Sequence, residues 1–316
     1  MKQIEPWFEP TDSLRTSSDF NKNAMMSRNE HGFLSGLIKQ LRPQKILEVG
    51  IGYGGTTSMI LKTLELVGSE CELFSIDLNS KYRGTDVGFM LKNVIPPHFV
   101  KHSIIIGKLL KDIIQQVGGN IDLVILDTSH NIPGEILEFL TVLPFMSEHG
   151  IVVLHDVALC NKMAIHKIKT GRALRKICPK ILFTSVSGEK YYDFNGVDNT
   201  NISNIAAFKI TDDTWNNIED MFLSLSHLWY YGLTNEDIES YREYFSRHYS
   251  AECLRLWDLI IANMREYRGN MDGLVKYLTF RDTFYIKKRD LNSLKEKVKN
   301  KITYIIKNIS LNRNQY

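Results

Sequence analysis

Five apolar runs, separated by amphipathic stretches, set the strongest constraint on how this chain folds. They are residues 45–49 (KILEV), 72–77 (ELFSID), 102–106 (HSIII), 121–127 (IDLVILD) and 150–155 (GIVVLH). LVIL and IVVL show no polar alternation, as expected of strands covered on both faces. Each run is followed by a stretch with helical spacing, and that alternation predicts a doubly wound α/β fold with a mostly parallel sheet. Ahead of the first run, Phe33, Leu34, Leu37 and Leu41 recur at three- and four-residue intervals, which predicts a helix that Pro43 stops. Residues 180–187 (KILFTSVS) and 204–210 (NIAAFKI) flank a loop rich in Asn, Asp and Gly, and read as a closing antiparallel hairpin.

Beyond about Thr211 the period changes. Thr234 with Asp237 three residues later forms a capping-box pattern, and CLRLWDLIIANMREY continues with helical spacing. The expected organisation is an N-terminal helical cap (1–44), the α/β domain (45–211) and a helical extension (212–316). The extension ends in a lysine-rich segment with an apolar stripe from Ile286 to Ile309. Such a segment is usually a solvated helix face whose stripe packs on its own chain or a neighbour, and contact with an anionic membrane is the lesser alternative. Trp229, Tyr230 and Tyr231 read as core, with a sugar-stacking surface as the alternative.

Composition excludes several classes. A formal charge of +3 over 316 residues gives no electrostatic footprint for nucleic acid. Cys71, Cys160, Cys178 and Cys253 are far apart with no Cys-x-x-Cys pair, which argues against a structural zinc site or a disulfide scaffold and for reduced thiols. No segment approaches the roughly 18 apolar residues of a membrane span. A cytoplasmic protein is expected.

Gly50, Gly52 and Gly55 have the spacing G-x-G-x-x-G between a strand and a helix, and Gly54 adds a fourth glycine. Such a loop lets a ligand approach bare backbone and the N–H groups that open the next helix. The spacing serves nicotinamide dinucleotides and S-adenosylmethionine equally. Glu48 discriminates, because a carboxylate repels a diphosphate and attracts a sulfonium cation. Asp77, at the end of the second run, has the chemistry to accept hydrogen bonds from ribose hydroxyls of either cofactor. Tyr53, within the loop, reads as a cofactor contact, with simple packing the commoner alternative for a loop aromatic.

ILEVGIGYGG, the Asp77 strand end, IDLVILDTSH and GIVVLHD together resemble a class I S-adenosylmethionine-dependent methyltransferase over roughly residues 30 to 210. The resemblance implies a Rossmann-like methyltransferase sheet. In it Glu48, Gly50, Gly52 and Gly54 surround the methionine part of the cofactor and Asp77 holds the ribose. The third strand departs from the family: IIIGKLL stands where many relatives carry an acid near the adenine, which leaves Ile106, Gly107 and Lys108 as the adenine's neighbours.

LDTSH ends the fourth run and LHD the fifth, so Asp127, His130, His155 and Asp156 are expected to converge where parallel strands open on one crevice. Two carboxylates and two imidazoles suggest a divalent cation, which helps a hydroxyl acceptor lose its proton. Here the resemblance sharpens toward metal-dependent O-methyltransferases of the catechol type and, more closely, the macrocin type, which methylates sugars on natural products. It implies metal ligation by Asp127, His155 and Asp156, with magnesium or manganese as the ion, and catalysis by Asp127 and His130, the latter as general base. His155 stands where those families usually carry a carboxylate, and imidazole suits manganese, iron or zinc better than magnesium. The expected function is O-methylation of a sugar or small natural product, with self-association as an open possibility. Three other readings remain: a nicotinamide-dependent oxidoreductase, a hydroxylase-like metalloenzyme, and a non-catalytic binding protein on the same fold.

Overall fold

The computed structural model describes residues 2–158, 178–192, 204–227, 229 and 232–264. Two compact units divide between Asn263 and Met264, and the second lies, past its first residue, outside the described residues. The stripe from Ile286 to Ile309, Tyr230, Tyr231 and Cys160 therefore lie outside them too.

In the first unit the elements are β1 (Lys2–Gln3), α1 (Glu9–Leu14), α2 (Ser18–Asn23), α3 (Arg28–Leu41), β2 (Lys45–Val49), α4 (Gly55–Val67), β3 (Cys71–Asp77), β4 (Lys81–Tyr82), β5 (Thr85–Asp86), β6 (Val100–Ile106), α5 (Leu110–Val117), β7 (Ile121–Leu126), α6 (Gly134–Val142), β8 (Met146–His155), α7 (Cys178–Ser185), β9 (Glu189–Tyr192), β10 (Ile205–Lys209), α8 (Asp212–Asn216), α9 (Ile218–Ser224) and α10 (Asn235–His248). A further helix, α11, covers 251–264.

Eight strands form one sheet in the order β1-β9-β10-β8-β7-β2-β3-β6. β6, β3, β2, β7 and β8 run parallel, while β10 is antiparallel to both β8 and β9. The chain winds outward from β2 through β3 to β6, then returns to the other side of β2 with β7 and β8. The order therefore reverses between β2 and β7, and in such sheets a crevice opens at the carboxyl ends of the two strands at the reversal. The runs of β7 and β8 are buried on both faces: Leu123, Val124, Ile125, Leu126, Val152, Val153 and Leu154 have no exposed surface, whereas β6, at the sheet edge, exposes Ile104 and Ile106. Full burial of one such side chain contributes about 1.5–3 kcal/mol.

On one face α3 and α4 pack together, with Phe33, Leu34, Leu37 and Ile38 against a core that includes Met59, Ile60 and Leu64. Leu41, expected on the same apolar stripe, is 39% exposed in the last turn of α3. Ser27 and Glu30 cap the start of this helix reciprocally.

One expected strand is a helix. Residues 180–187 lie largely within α7, whose buried positions Cys178, Pro179, Leu182 and Phe183 repeat at intervals of four and line one side. Short apolar runs do not distinguish the two periods, and Pro179 near the start favours the helix. The partner of β10 is instead β9, the less apolar EKYY, and the connection 193–203 lies outside the described residues.

After β10 most of the described residues lie in helices α8 to α11. Trp229, Tyr241, Phe245 and Trp257 are buried together, with ring centroids of Trp257 5.2–6.2 Å from the other three. Two phenol hydroxyls tie these helices to α6: Tyr244 donates to Thr141 O at 2.5 Å and Tyr249 to Leu140 O at 2.6 Å. Cys71, Cys178 and Cys253 are free and buried. No helix among the described residues is long and apolar enough to cross a membrane.

Candidate active site

The end of β2 is held in place by backbone. Gly50 N–H donates to Ile76 O at 2.8 Å and Asp127 N–H to Val49 O at 3.0 Å. Gly50 has φ +100°, and a Cβ there would stand 2.0 Å from the Asp127 carbonyl oxygen. Only glycine permits this approach, which brings the loop after β2 against the end of β7. Gly54, φ +91°, opens α4 in a left-handed conformation, with Leu91 Cγ 3.0 Å from where a Cβ would be.

Asp77 reaches beneath this loop. Its Oδ2 accepts from the N–H groups of Ile51 and Gly52, both at 3.1 Å, and its Oδ1 from Asn79 N–H at 2.9 Å. Tyr53 stands edge-on to Tyr82 and Phe89, with centroids 4.9 and 5.4 Å away, so its ring packs within an aromatic group beside the loop.

Glu48 is wholly buried between β2 and α4. Thr57 Oγ1 donates to its Oε2 at 2.7 Å, while Oε1 has no hydrogen-bond partner. The nearby Ser75 hydroxyl is engaged with His102 Nε2 at 3.1 Å. Burial pushes the Glu48 carboxyl up to about 7, against the pull of Ser75 and Thr57. Its charge at neutral pH is thus partial, where the sequence suggested a full anion.

At the ends of β7 and β8, Asp127, His130, His155 and Asp156 come together. His155 Nδ1 donates to Asp127 Oδ1 at 3.0 Å. His130 Nε2 lies 3.4 Å from Asp127 Oδ1 and 3.3 Å from Asp156 Oδ2, and the two imidazole centroids are 6.1 Å apart. Both His130 and Asp156 take positive φ, +57° and +61°. Strain of this kind, about 1–3 kcal/mol each, is found where surroundings over-determine a residue's position.

Three residues outside the expected set complete the cluster. Glu30, from α3, places Oε1 3.4 Å from His155 Nε2. Asn204 Nδ2 donates to Glu30 Oε1 at 2.9 Å and to Asp156 Oδ1 at 2.8 Å. Glu135, from α6, accepts from the His130 backbone N–H at 2.6 Å, and the same Oε1 lies 3.0 Å from His130 Nδ1 as an ion pair rather than an aligned hydrogen bond. Glu30 carried one sequence signal, the Ser-x-x-Glu capping box. Asn204 and Glu135 carried none.

Charge is shared across the cluster. Burial opposes the His155 imidazolium, yet Asp127, Glu30 and Asp156 outweigh it and hold its pKa well above 6.5. His130 is raised too, with Glu135, Asp127 and Asp156 overcoming burial. Conversely, His155 and His130 hold Asp127 below the usual carboxylate value despite its burial, and His155, Ser27 N–H and Asn204 do so for Glu30. Glu138, which accepts from Thr128 Oγ1 at 2.9 Å, is pushed up to about 8 by burial and then by Glu135.

These groups fit two ligands. The bare backbone of the glycine loop suits a ligand that approaches the main chain, and Glu48, two residues before the loop, carries a buried Oε1 without a hydrogen-bond partner. Asp127, His130 and His155 each offer a ligand atom, all within 4.8 Å of one another, and Asn204 Oδ1 beside them is buried without a partner. This mixed oxygen and nitrogen donor set suits a divalent first-row metal.

Residues 47–157, which run from the glycine loop through both strand ends of this cluster, match the family described as "Methyltransferase domain". Over these residues the chain carries a methyltransferase domain. No curated protein matches the chain. Among solved structures it is similar to an O-methyltransferase of tomaymycin synthesis from Streptomyces achromogenes, at 16% identity and a TM-score of 0.43, over 64% of this chain and 89% of that one. It is also similar to an O-methyltransferase from Bacillus cereus, at 14% identity and a TM-score of 0.44, over 64% and 91%. A third is a methyltransferase from Podospora anserina, at 16% identity and a TM-score of 0.41, over 64% and 86%. Likenesses this remote carry no weight for function. Of the cluster, Glu30 and Asn204 lie outside the matched residues.

Proposed function

We propose that the methyltransferase is an O-methyltransferase that transfers a methyl group to a hydroxyl of a sugar or another small natural product, assisted by a divalent cation, magnesium or manganese. The observation that carries this reading is the convergence of Asp127, His130, His155 and Asp156 beside the glycine loop, where Gly50 and the Asp127 backbone touch.

S-adenosylmethionine supplies a methyl group on a sulfonium, whose thioether leaves without needing a proton. A divalent cation, when bound, would lower the pKa of an acceptor hydroxyl and fix its orientation. The chain does the rest. Gly50, Gly52 and Gly54 give the methionine part access to the main chain, and Glu48 complements its positive charge. Asp77, anchored under the loop, stands by for the ribose. Asp127, His155 and Asp156 would hold the cation. His130, with Nδ1 against Glu135, turns Nε2 inward, the atom that takes the acceptor's proton. Alignment of acceptor oxygen, methyl carbon and sulfur supplies the remaining acceleration.

Asp127→Ala tests the reading. Turnover with hydroxyl acceptors falls at least a thousandfold while S-adenosylmethionine affinity, measured by calorimetry, stays within about threefold. An equal loss of both assigns Asp127 a structural role and contradicts the reading.

A further inference from the structure

The two ring nitrogens of His155 face different carboxylates. Nδ1 lies 3.0 Å from Asp127 Oδ1, and Nε2 lies 3.4 Å from Glu30 Oε1 as an ion pair, with Asn204 Nδ2 at 3.5 Å from the same nitrogen. Metal-binding imidazoles use this arrangement: one nitrogen meets the ion, and the other gives its proton to an outer acceptor that fixes tautomer and ring plane. Glu30 is well held for that task. Its Oε2 accepts from Ser27 N–H at 2.6 Å, closing the cap of its own helix, while Oε1 faces the cluster and accepts from Asn204 Nδ2. The carboxylate cannot swing away from His155 without opening the first turn of α3. Asn204 extends the brace, because the same amide nitrogen reaches Asp156 Oδ1.

We propose that Glu30 is a positioning residue for the cation site: through Nε2 it holds His155 with Nδ1 inward as a nitrogen ligand beside Asp127, and so biases the site toward manganese, cobalt and zinc over magnesium. The inference rests on the reading of this cluster as a cation site. It assigns a role in the chemistry to a residue of the N-terminal helices, outside the matched domain. Imidazole favours the later first-row ions, whereas magnesium demands oxygen ligands. Replacing Glu30 by Gln keeps an oxygen for Ser27 N–H but turns an N–H₂ toward Nε2. That favours the tautomer with its proton on Nδ1, which no longer ligates.

The test is titration of the chelator-stripped full chain with Mn²⁺, Co²⁺ and Mg²⁺ by calorimetry, with the visible spectrum of Co²⁺ as a second readout and S-adenosylhomocysteine titrated separately. Expected are Mn²⁺ and Co²⁺ at least tenfold tighter than Mg²⁺, and a loss of about 10–100-fold in both for Glu30→Gln with the S-adenosylhomocysteine affinity unchanged. Ser27→Ala, which removes the other half of the cap, lowers the melting temperature but not the Co²⁺ affinity. His155→Asp, in which Glu30 has no imidazole to hold, shifts the Mn²⁺ to Mg²⁺ affinity ratio at least tenfold toward Mg²⁺. Co²⁺ binding as tight in Glu30→Gln as in the parent overturns the proposal, as does an equal loss in Ser27→Ala or an unchanged ratio in His155→Asp. Failure of the parent to bind any of the three ions overturns the cation reading itself, while bound S-adenosylhomocysteine leaves the methyltransferase standing.

Discussion

Thr57 gives its hydroxyl proton to one oxygen of Glu48, at 2.7 Å, and the other oxygen is buried without a partner. Such a carboxyl is poised between two states, since burial raises its pKa to about 7. A sulfonium nearby favours the ionised one. S-adenosylmethionine binding therefore tightens as pH rises toward about 7, by at most about tenfold per pH unit below it, and levels off above. The sign for stability is opposite: a carboxyl raised in the folded state binds its proton more tightly than the unfolded chain does, so the ligand-free protein loses stability as pH rises through about 7. Calorimetry from pH 5.5 to 8.5 checks the first, and Glu48→Gln flattens both profiles.

Gly50→Ala collides with the Asp127 carbonyl at a φ that L residues avoid, and neither backbone gives way. Expected is a loss of about 3 kcal/mol or more in urea unfolding, or no folded protein at all. Gly52→Ala is the control. Its φ is +53°, but the nearest atom to an added Cβ is Met25 Sδ at 3.7 Å, so the cost stays near 1 kcal/mol.

The histidines make the metal-free protein sensitive to alkali. His155 has its pKa raised on folding, so its contribution is fully present below 6.5 and is lost as pH rises through the folded-state value. The melting temperature of the chelated protein thus falls with pH above 6.5, and His155→Gln removes that part of the slope. Cation binding expels the imidazole proton, so adding Mn²⁺ restores more stability at high pH than at low.

Glu135→Gln keeps an acceptor for the His130 backbone N–H but loses the ion pair at Nδ1. Turnover falls about tenfold to a hundredfold with KM for S-adenosylmethionine unchanged, since only the ring that takes the proton is disturbed. A matching rise in KM places Glu135 in the binding of the cofactor instead.

Much of this was legible along the chain because it is local. Strands such as LVIL and IVVL announce burial on both faces, and the glycine loop is a contiguous stretch whose backbone demands are written in its residue types. Asp127, His130, His155 and Asp156 could be grouped because parallel topology sends both strand ends to one crevice. Glu30, Asn204 and Glu135 could not, since each arrives from a different element through tertiary packing. The apolar run at 180–187 was misread because a short run fits either period, and burial at Cys178, Leu182 and Phe183 decides it. The ionisation of Glu48 was hidden as well: residue type shows a carboxylate, but only the depth of its burial shows that it holds a proton near neutrality.

Whether a positively charged methyl donor binds at the loop over Glu48 is decided by calorimetry of the metal-free full chain with S-adenosylhomocysteine, S-adenosylmethionine and NAD. Expected are one-to-one binding of the first two, with S-adenosylmethionine the more weakened by Glu48→Gln because only it carries the sulfonium, and no heat with NAD. Binding of NAD alone, or equal weakening of both adenosyl ligands by Glu48→Gln, contradicts that expectation.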